Sequence, residues 1–255
     1  MTALLGIYSL WRRDLVRFLR QRSRVVSALA TPILFWLVIG SGIGQSFRPA
    51  DGSAAGGFLE YYFPGTVALI VLFTAIFSTI SVIEDRHDGF LQGVLASPAP
   101  RLAIVLGKIT GSATLAAGNA ILFLALAPAA GLSPSPGALV EAVGVIALMS
   151  LGLSGLGVAI AWSLESTQGF HALMNLVLVP MWLLSGAFFP ASGAAGWIRG
   201  VMAVNPLTYG VEALRTALAG SGAPGQIAGP ALVMALFAML TVIVATALAS
   251  KPVRA

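Results

Sequence analysis

The sequence contains no cysteine, only two histidines and few charged residues, which make up 9% of its 255 positions. Without cysteine the chain forms neither a disulfide nor a thiolate metal site, and His87 and His171 lack the spacing of metal ligands. A soluble domain carries roughly 25% charged residues. The low charge therefore excludes a domain whose surface faces water, and we predict no catalytic centre and no metal site in this chain.

Apolar residues make up 58% of the sequence, and the mean hydropathy is +0.93. Six of the fourteen Lys and Arg residues lie within residues 1–24, directly before an apolar run. A basic segment in that position is typical of contact with anionic lipid headgroups. We therefore expect membrane lipids, and not nucleic acid, as partners of the basic residues.

Six segments reach the length of about 20 apolar residues that a helix needs to cross a bilayer. They predict an all-α integral membrane protein whose transmembrane domain covers residues 25–250, with spans at 25–44, 61–83, 109–130, 138–162, 170–189 and 229–249. The segments on the side of the N-terminus hold eleven basic residues, and those on the other side hold three. Because basic residues favour the cytoplasmic side, both termini are predicted to be cytoplasmic.

Residues 1–24 have the pattern of an amphipathic helix. Large apolar residues recur at spacings of three and four, and basic residues lie opposite: the apolar set is Leu4, Tyr8, Trp11, Leu15 and Phe18, and the basic set is Arg13, Arg17 and Arg20. This pattern predicts a helix lying in the inner interface with its basic side chains toward headgroups. The alternative is a solvated, positively charged tail.

Residues 84–101 connect the second and third spans and are not a plain loop. Acidic residues from Glu84 onward favour a helix N-terminus, and Pro98 and Pro100 end the helical pattern. Apolar residues between them share one face: Phe90, Leu91, Val94 and Leu95. The pattern predicts a short cytoplasmic helix that either packs against its own bundle or docks into a soluble partner, and it does not decide between the two.

Residues 190–228 form a long outer segment that is not hydrophilic. Asn205-Pro206 has the pattern of an N-cap followed by a first-turn proline, and Gly220 is a plausible helix end. Glu212 and Arg215 lie three residues apart and are predicted to neutralise each other. The segment predicts a helical hairpin that re-enters the outer leaflet or covers the bundle, with a plain loop as the alternative.

Small residues mark the faces along which the spans are predicted to pack. They are Gly40, Gly44, Gly107, Gly111, Gly152, Ser154, Gly155 and Gly157. Pro180 cannot donate a backbone hydrogen bond and predicts a kink in the fifth span. Asn119 and Asn175 are the polar candidates for a substrate path, although interhelical hydrogen bonding is the favoured role for such side chains.

Together these features resemble the membrane (permease) subunit of type-2 ATP-binding-cassette exporters, the drug-resistance and nodulation-type permeases. The stretches that carry the resemblance are Thr31-Pro32 after the basic N-terminus, Glu84–Lys108 with its Ser97-Pro98 and Gly107-Lys108 pairs, Leu184–Pro190, and Asn205–Arg215. Their order relative to the six spans extends the resemblance over essentially the whole chain.

The resemblance implies that residues 84–101 hold the coupling helix, seated in a groove of a soluble ATP-binding-cassette ATPase. Its contacting residues would be Phe90, Leu91, Val94 and Leu95, framed by Glu84 and Arg86. Residues 1–24 would be the connecting helix near that ATPase. The outer re-entrant hairpin would use Asn205, Pro206, Tyr209, Glu212 and Arg215. Two permease copies, or this chain and a related one, would enclose the path in the cytoplasmic (inner) membrane of a prokaryote.

The sequence contains no Gly-x-x-x-x-Gly-Lys-[Ser/Thr] phosphate loop, so it is predicted to be no ATPase itself and to carry no cofactor. ATP and magnesium would be bound by the partner. The resemblance implies export of drugs, lipids or lipid-linked saccharides, and 13 Phe against 4 Tyr and 5 Trp favour an amphipathic or lipid-like cargo. The alternative is an ion-gradient-driven secondary transporter, for which Pro180 supplies one broken helix.

Overall fold

The computed structural model describes residues 2–44, 57–97, 99–220 and 224–250. These residues form helices joined by short turns, with no strand among them. The helices are α1 (Thr2–Arg20), α2 (Arg22–Ile43), α3 (Phe58–Ser78), α4 (Ser81–His87), α5 (Phe90–Leu95), α6 (Arg101–Leu124), α7 (Pro136–Ser163), α8 (Thr167–Trp182), α9 (Gly196–Val204), α10 (Pro206–Ala219) and α11 (Pro224–Ser250). The all-α prediction is confirmed for this part of the chain.

Five stretches of the described residues are long and apolar enough to cross a membrane. They are Phe58–His87, Arg101–Leu124, Pro136–Ser163, Thr167–Ala187 and Gly225–Ser250. The predicted first span, 25–44, lies in α2, whose described apolar stretch Ala28–Ile43 is shorter than the other five. The five long helices correspond to the second to sixth predicted spans.

The third span was predicted at 109–130, and the helix at this position has different bounds. Helix α6 begins at Arg101, directly after the extended backbone of Pro100, so Lys108 lies inside the helix. Beyond Leu124 the chain tightens into a short 3₁₀ turn at Ala127–Ala130 that contains Pro128. A proline nitrogen cannot donate, so the α-helical bonding does not continue through this turn.

The helix between the second and third spans begins later than predicted. After α3 and a two-residue turn, α4 extends through Glu84 and Asp85 to His87, and Gly89 then adopts a left-handed conformation at φ 72°. Only glycine adopts this conformation without strain, so it ends α4 and α5 starts at Phe90. The two acidic residues therefore do not lie at the N-terminus of α5. Pro98 lies outside the described residues.

Helix α3 forms the centre of the bundle, and nearly all of its side chains are buried against α2, α6, α7 and α8. Glycines on α7 allow its neighbours to approach closely. A Cβ at Gly152 would lie 2.7 Å from Phe237, one at Gly155 2.6 Å from Thr241, and one at Gly157 2.7 Å from Thr79. The predicted packing role of these α7 glycines is confirmed, since side chains would push α11 and α3 away.

Helix α8 contacts the rest of the chain along one stripe. The buried residues recur every four positions, at Phe170, Met174, Leu178 and Trp182. Most of the other α8 side chains are exposed on the surface of the described chain, including Asn175 and Leu176. Helix α8 is therefore attached to the bundle on one side only.

Candidate functional site

Six charged side chains from α1, α4 and α6 meet at one end of the bundle, and we refer to them as the charge cluster: Arg13, Asp14, Arg17, Glu84, Asp85 and Lys108. The Arg13 guanidinium donates two hydrogen bonds to the Asp85 carboxylate, of 2.8 and 2.7 Å. The Lys108 ammonium donates to Asp85 and to Ser81, and lies 3.0 Å from an oxygen of Asp14. The cluster thus joins three helices through ionic contacts.

The residues at the centre of the charge cluster are buried, and those at its edge are partly exposed to solvent. Lys108 is 1% exposed and Asp85 is 0% exposed, whereas Arg13, Arg17 and Glu84 are each about one third exposed. Burial raises the pKa of the Asp14 carboxyl, and the Lys108 ammonium opposes that rise. Three cations face three anions, so the buried groups compensate each other.

The prediction that the arginines of α1 point toward headgroups is wrong for Arg13 and Arg17. Both pair with acidic residues of α4, because two carboxylates beside them are partly shielded from water and need cationic partners. The predicted apolar stripe of α1 is buried at one end and exposed at the other. Phe18 is buried against the bundle, whereas Leu4 and Tyr8 are exposed. Helix α1 is therefore a packed part of the fold and not a solvated tail.

Helix α5 places the predicted coupling residues in two different environments. Phe90 is 36% exposed, and the Arg13 guanidinium carbon lies 3.7 Å from the centre of its ring. Leu91 is only 2% exposed, and Val94 and Leu95 are half-buried against the core. Three of the four residues therefore contact the bundle of their own chain.

The two residues predicted to frame α5 have partners within the chain. Glu84 accepts a 2.8 Å hydrogen bond from Arg17. Arg86 donates two bonds of 3.0 Å to the backbone carbonyls of Trp162 and Leu164, at the end of α7. These carbonyls have no helical partner, so Arg86 fixes the end of α7 to the end of α4.

A cavity of about 580 Å³ lies between α2, α3 and α8, beside the charge cluster. Its lining combines aromatic rings with polar side chains, among them Phe35, Phe73, Phe77, Thr74, Ser78 and His171. The Glu84 carboxylate of the charge cluster also lines it. Cavities of this size accommodate drug-sized ligands, and a wall that combines aromatic rings with polar groups suits an amphipathic molecule. The sequence signal for this wall is the pair Phe73 and Phe77, one turn apart beside Thr74 and Ser78.

The two asparagines predicted as candidates for a substrate path lie in different places. Asn119 is buried, and its amide donates to the Thr74 hydroxyl at 3.4 Å, so it joins α6 to α3. Asn175 is exposed on the free side of α8. Neither residue lines the cavity, although Thr74, the partner of Asn119, does.

The fifth span ends in a π-helical turn at Leu183–Ala187, in which Gly186 adopts φ 79°. Side chains from other helices bind the backbone of this turn. The Gly186 carbonyl accepts bonds from Tyr61 at 3.1 Å and from Arg215 at 2.9 Å. The Asn205 amide donates to the carbonyls of Met181 and Leu184, at 2.6 and 2.9 Å. This turn thereby links α3, α8 and α10.

The hairpin predicted within 190–228 is present as α9 and α10, and residues 221–223 lie outside the described residues. Asn205 caps α10 by accepting a bond from the Leu207 amide at 3.0 Å, Pro206 is the first helical residue, and the left-handed Gly220 ends the helix. The caps of α10 are confirmed. Tyr209 donates to the carbonyl of Ala203 at 2.8 Å and ties α10 to α9.

The expected pairing of Glu212 with Arg215 is wrong. Among the described residues Arg215 donates to Gly186 and its guanidinium carbon lies 4.2 Å from the centre of the Tyr61 ring, whereas Glu212 is exposed. The physical reason is position on the helix, because Arg215 faces the π turn and Glu212 faces outward. The arginine therefore stabilises the turn and not the surface of α10.

Sequence reasoning missed the buried members of the charge cluster. Lys108 was placed in a connecting segment, and Asp14 and Asp85 were given no partners. One signal was available, since Asp14 is the only acidic residue within residues 1–24. A single carboxylate in a basic amphipathic helix indicates a buried partner, although it does not identify Lys108.

Comparison with known proteins adds a family likeness to this geometry. Residues 6–219 match the family profile described as ABC-2 type transporter. The chain is 26% identical over 220 residues to Nodulation protein J of Rhizobium meliloti (strain 1021), a match covering 84% of this chain and 81% of that relative. Nodulation protein J of Neorhizobium galegae is 26% identical over 227 residues, covering 88% of this chain and 85% of the relative.

Proposed function

This chain belongs to the ABC-2 type transporter family and is a multi-pass membrane transport permease, and we propose that it is the transmembrane subunit of an exporter powered by a separate ATPase. The family predicted from the sequence is confirmed. Membership implies an ATP-binding-cassette ATPase as partner and suggests that the catalytic site lies in that subunit, which would bind ATP and magnesium. The observation that carries the proposal is the short helix α5, presented beside α1 at one end of the bundle.

The proposed docking surface for the ATPase is the outer side of α5, and we define it as Phe90, Gln92, Gly93 and Ala96, which are all exposed. Leu91, by contrast, is buried and anchors α5 to the bundle. This division supports a role in transmitting movement from the ATPase. One face of α5 packs against the permease, and the opposite face is exposed for contact with the partner.

We place α1, α4 and α5 on the cytoplasmic side, with both termini inside and α2 as the first of six spans. The excess of basic residues in the segments on this side supports that orientation. The proposed location is the inner membrane of a prokaryote. The hairpin α9–α10 then lies at the outer end, where its contacts with the π turn suit a re-entrant lid over the exit.

The proposed cargo is an amphipathic or lipid-like molecule, such as a drug, a lipid or a lipid-linked saccharide. The cavity between α2, α3 and α8 supports this class, because its aromatic wall fits an apolar tail and its hydroxyl and imidazole groups fit a polar head. Polar side chains in a membrane rarely face lipid. Asn175 on the free side of α8 therefore supports a second permease copy or a related permease against this helix.

A bulky residue on the docking surface tests the proposal. Gly93 is exposed and a Cβ there meets no atom within 4 Å, so Gly93→Trp adds its ring to the outer side of α5 without a clash at Cβ. We expect this variant to lose co-purification of a Walker-type ATPase and ATP-driven transport. The matched control is Gly144→Trp on α7, an exposed position outside the docking surface and the outer hairpin, where a Cβ is equally unobstructed. If Gly93→Trp assembles and transports like the control, or the purified chain transports with an ion gradient alone, the proposal is wrong.

A further inference from the structure

The charge cluster has a geometry that hydrophobic packing of α1 does not require. The Arg13 guanidinium donates hydrogen bonds to both oxygens of Asp85. Lys108 on α6 forms ion pairs with Asp14 on α1 and with Asp85 on α4. Such bonds are directional, and a two-pronged guanidinium contact fixes orientation as well as distance. Apolar contacts are non-directional and permit sliding. The cluster therefore restrains the rotation and the register of three helices relative to each other.

A gain in folding stability does not by itself explain why these charged residues are buried together. Replacing a buried ion pair by well-packed apolar residues is often neutral or stabilising, because desolvation of the charges offsets their attraction. Close packing of α1 on α6 is already supplied by glycine. A Cβ at Gly107 would lie 2.9 Å from Leu10, and one at Gly111 would lie 3.4 Å from the Cβ of Asp14. The charged side chains thus fix the relative orientation of α1 and α6, whose backbones already pack closely.

The same cluster reaches the proposed docking surface. Arg13, while bound to Asp85, also lies 3.7 Å from the Phe90 ring. One side chain therefore contacts α4 and α5 together, and Arg17 adds a second link from α1 to α4 through Glu84. These contacts connect α5 to α1 through Arg13 and connect α1 and α4 to α6 through Lys108.

We infer that the charge cluster clamps α1, α4, α5 and the base of α6 into one rigid unit, in which Lys108 and Arg13 are positioning residues that convert ATPase movement into movement of the third span. This inference rests on the proposed function for its transport consequence. The rigidity itself does not depend on it. Helix α8 lies outside the unit, because the cavity separates it from α1 and it is held by one stripe only.

Distances between spin labels test the clamp directly. The chain has no cysteine, so labelling sites are introduced into the otherwise unchanged sequence. One pair, Leu5→Cys with Ser97→Cys, joins exposed positions of α1 and of the end of α5, and a second pair, Leu176→Cys with Ser97→Cys, joins α8 and the end of α5; Ser97 lies outside the proposed docking surface. In the full permease with its ATPase in nanodiscs, we expect the first distance to be narrowly distributed and unchanged by ATP, and the second to shift.

Variants that remove the charges give the second readout. The triple change Asp14→Asn, Asp85→Asn and Lys108→Met neutralises the buried centre, and Arg13→Gln loosens only its partly exposed edge. We expect both to broaden the α1–α5 distance and to lower the substrate moved per ATP by roughly fivefold or more while the ATPase stays bound. The control Thr114→Val removes an uncharged α1–α6 hydrogen bond, from Trp11, and should leave both readouts unchanged.

The outcomes separate the two proposals. A broad α1–α5 distance in the wild type, or unchanged distances and coupling in both charge variants, overturns the clamp. Should the triple variant fail to fold, Arg13→Gln alone decides. A narrow α1–α5 distance that broadens in the variants, with no response of the α8 distance to ATP, supports the clamp and refutes the proposed ATP-driven function.

Discussion

Asn205 offers a quantitative test of how the outer hairpin is held. Its side chain accepts a bond from Leu207 as the N-cap of α10 and donates two bonds to carbonyls at the end of the fifth span, Met181 and Leu184. It is 7% exposed, so water does not replace these bonds. Asn205→Ala therefore removes a cap and leaves two backbone acceptors without this donor.

The magnitude follows from the three bonds. Loss of an N-cap costs about 0.5–2 kcal/mol, and the buried Met181 carbonyl left without its donor costs about 1–3 kcal/mol, whereas the Leu184 carbonyl keeps the Thr208 hydroxyl at 3.5 Å, so we expect roughly 2–5 kcal/mol for Asn205→Ala. Ser135 caps α7 with a single bond at an exposed site, and Ser135→Ala should cost about 1 kcal/mol. At roughly 2–4 °C per kcal/mol, the expected losses in Tm are roughly 4–20 °C for Asn205→Ala and 2–4 °C for Ser135→Ala.

Asn205→Asp isolates the two donated bonds. Aspartate caps a helix as well as asparagine does, but its carboxylate cannot donate to a carbonyl. Thermal unfolding of the purified chain in detergent, followed by size-exclusion chromatography, should therefore place Asn205→Asp near Asn205→Ala and far below Ser135→Ala. Equal losses for Asn205→Ala and Ser135→Ala, or wild-type stability for Asn205→Asp, would refute the reasoning.

Two further predictions concern packing and charge. Gly65→Ala should lower stability by about 1–3 kcal/mol, since its Cβ would lie 2.6 Å from that of Ala187, whereas Gly118→Ala, with no atom within 4 Å, should raise it by up to about 1 kcal/mol; thermal unfolding compares the two. Asp14→Asn leaves Lys108 paired with Asp85 and should be mild, whereas Asp85→Asn removes a carboxylate bound by three cations and should cost about 3–5 kcal/mol. Equal Tm values within either pair of variants would contradict the corresponding prediction.

Local signals predicted the helices where capping residues are encoded in the sequence. Asn205, Pro206 and Gly220 bound α10 as expected, and the apolar run 138–162 predicted α7 to within two residues of its start at Pro136. Where no such signal exists, the boundaries failed. The third span was predicted to start after Lys108, because a charged residue was assumed to lie outside the membrane. The acidic partners that bury Lys108 cannot be identified from helical periodicity.

The charge cluster could not be predicted from the sequence for the same reason. Asp14 lies 94 residues from Lys108 along the chain, and Arg13 lies 72 residues from Asp85. Helical periodicity defines which residues share a face, and it says nothing about which distant face lies opposite. The cavity also depends on such pairing, because α2, α3 and α8 contribute to it from distant parts of the sequence.

The three glycines of α7 have a consequence for genetics. Gly152, Gly155 and Gly157 lie within six residues and admit three different neighbours at distances that no Cβ tolerates. Random substitution would therefore find damaging sites on this short strip, whose residues line neither the cavity nor the proposed docking surface. A map of loss-of-function alleles that peaks here would reflect how tightly the spans are assembled, because each of these positions admits a neighbouring helix that a side chain would displace.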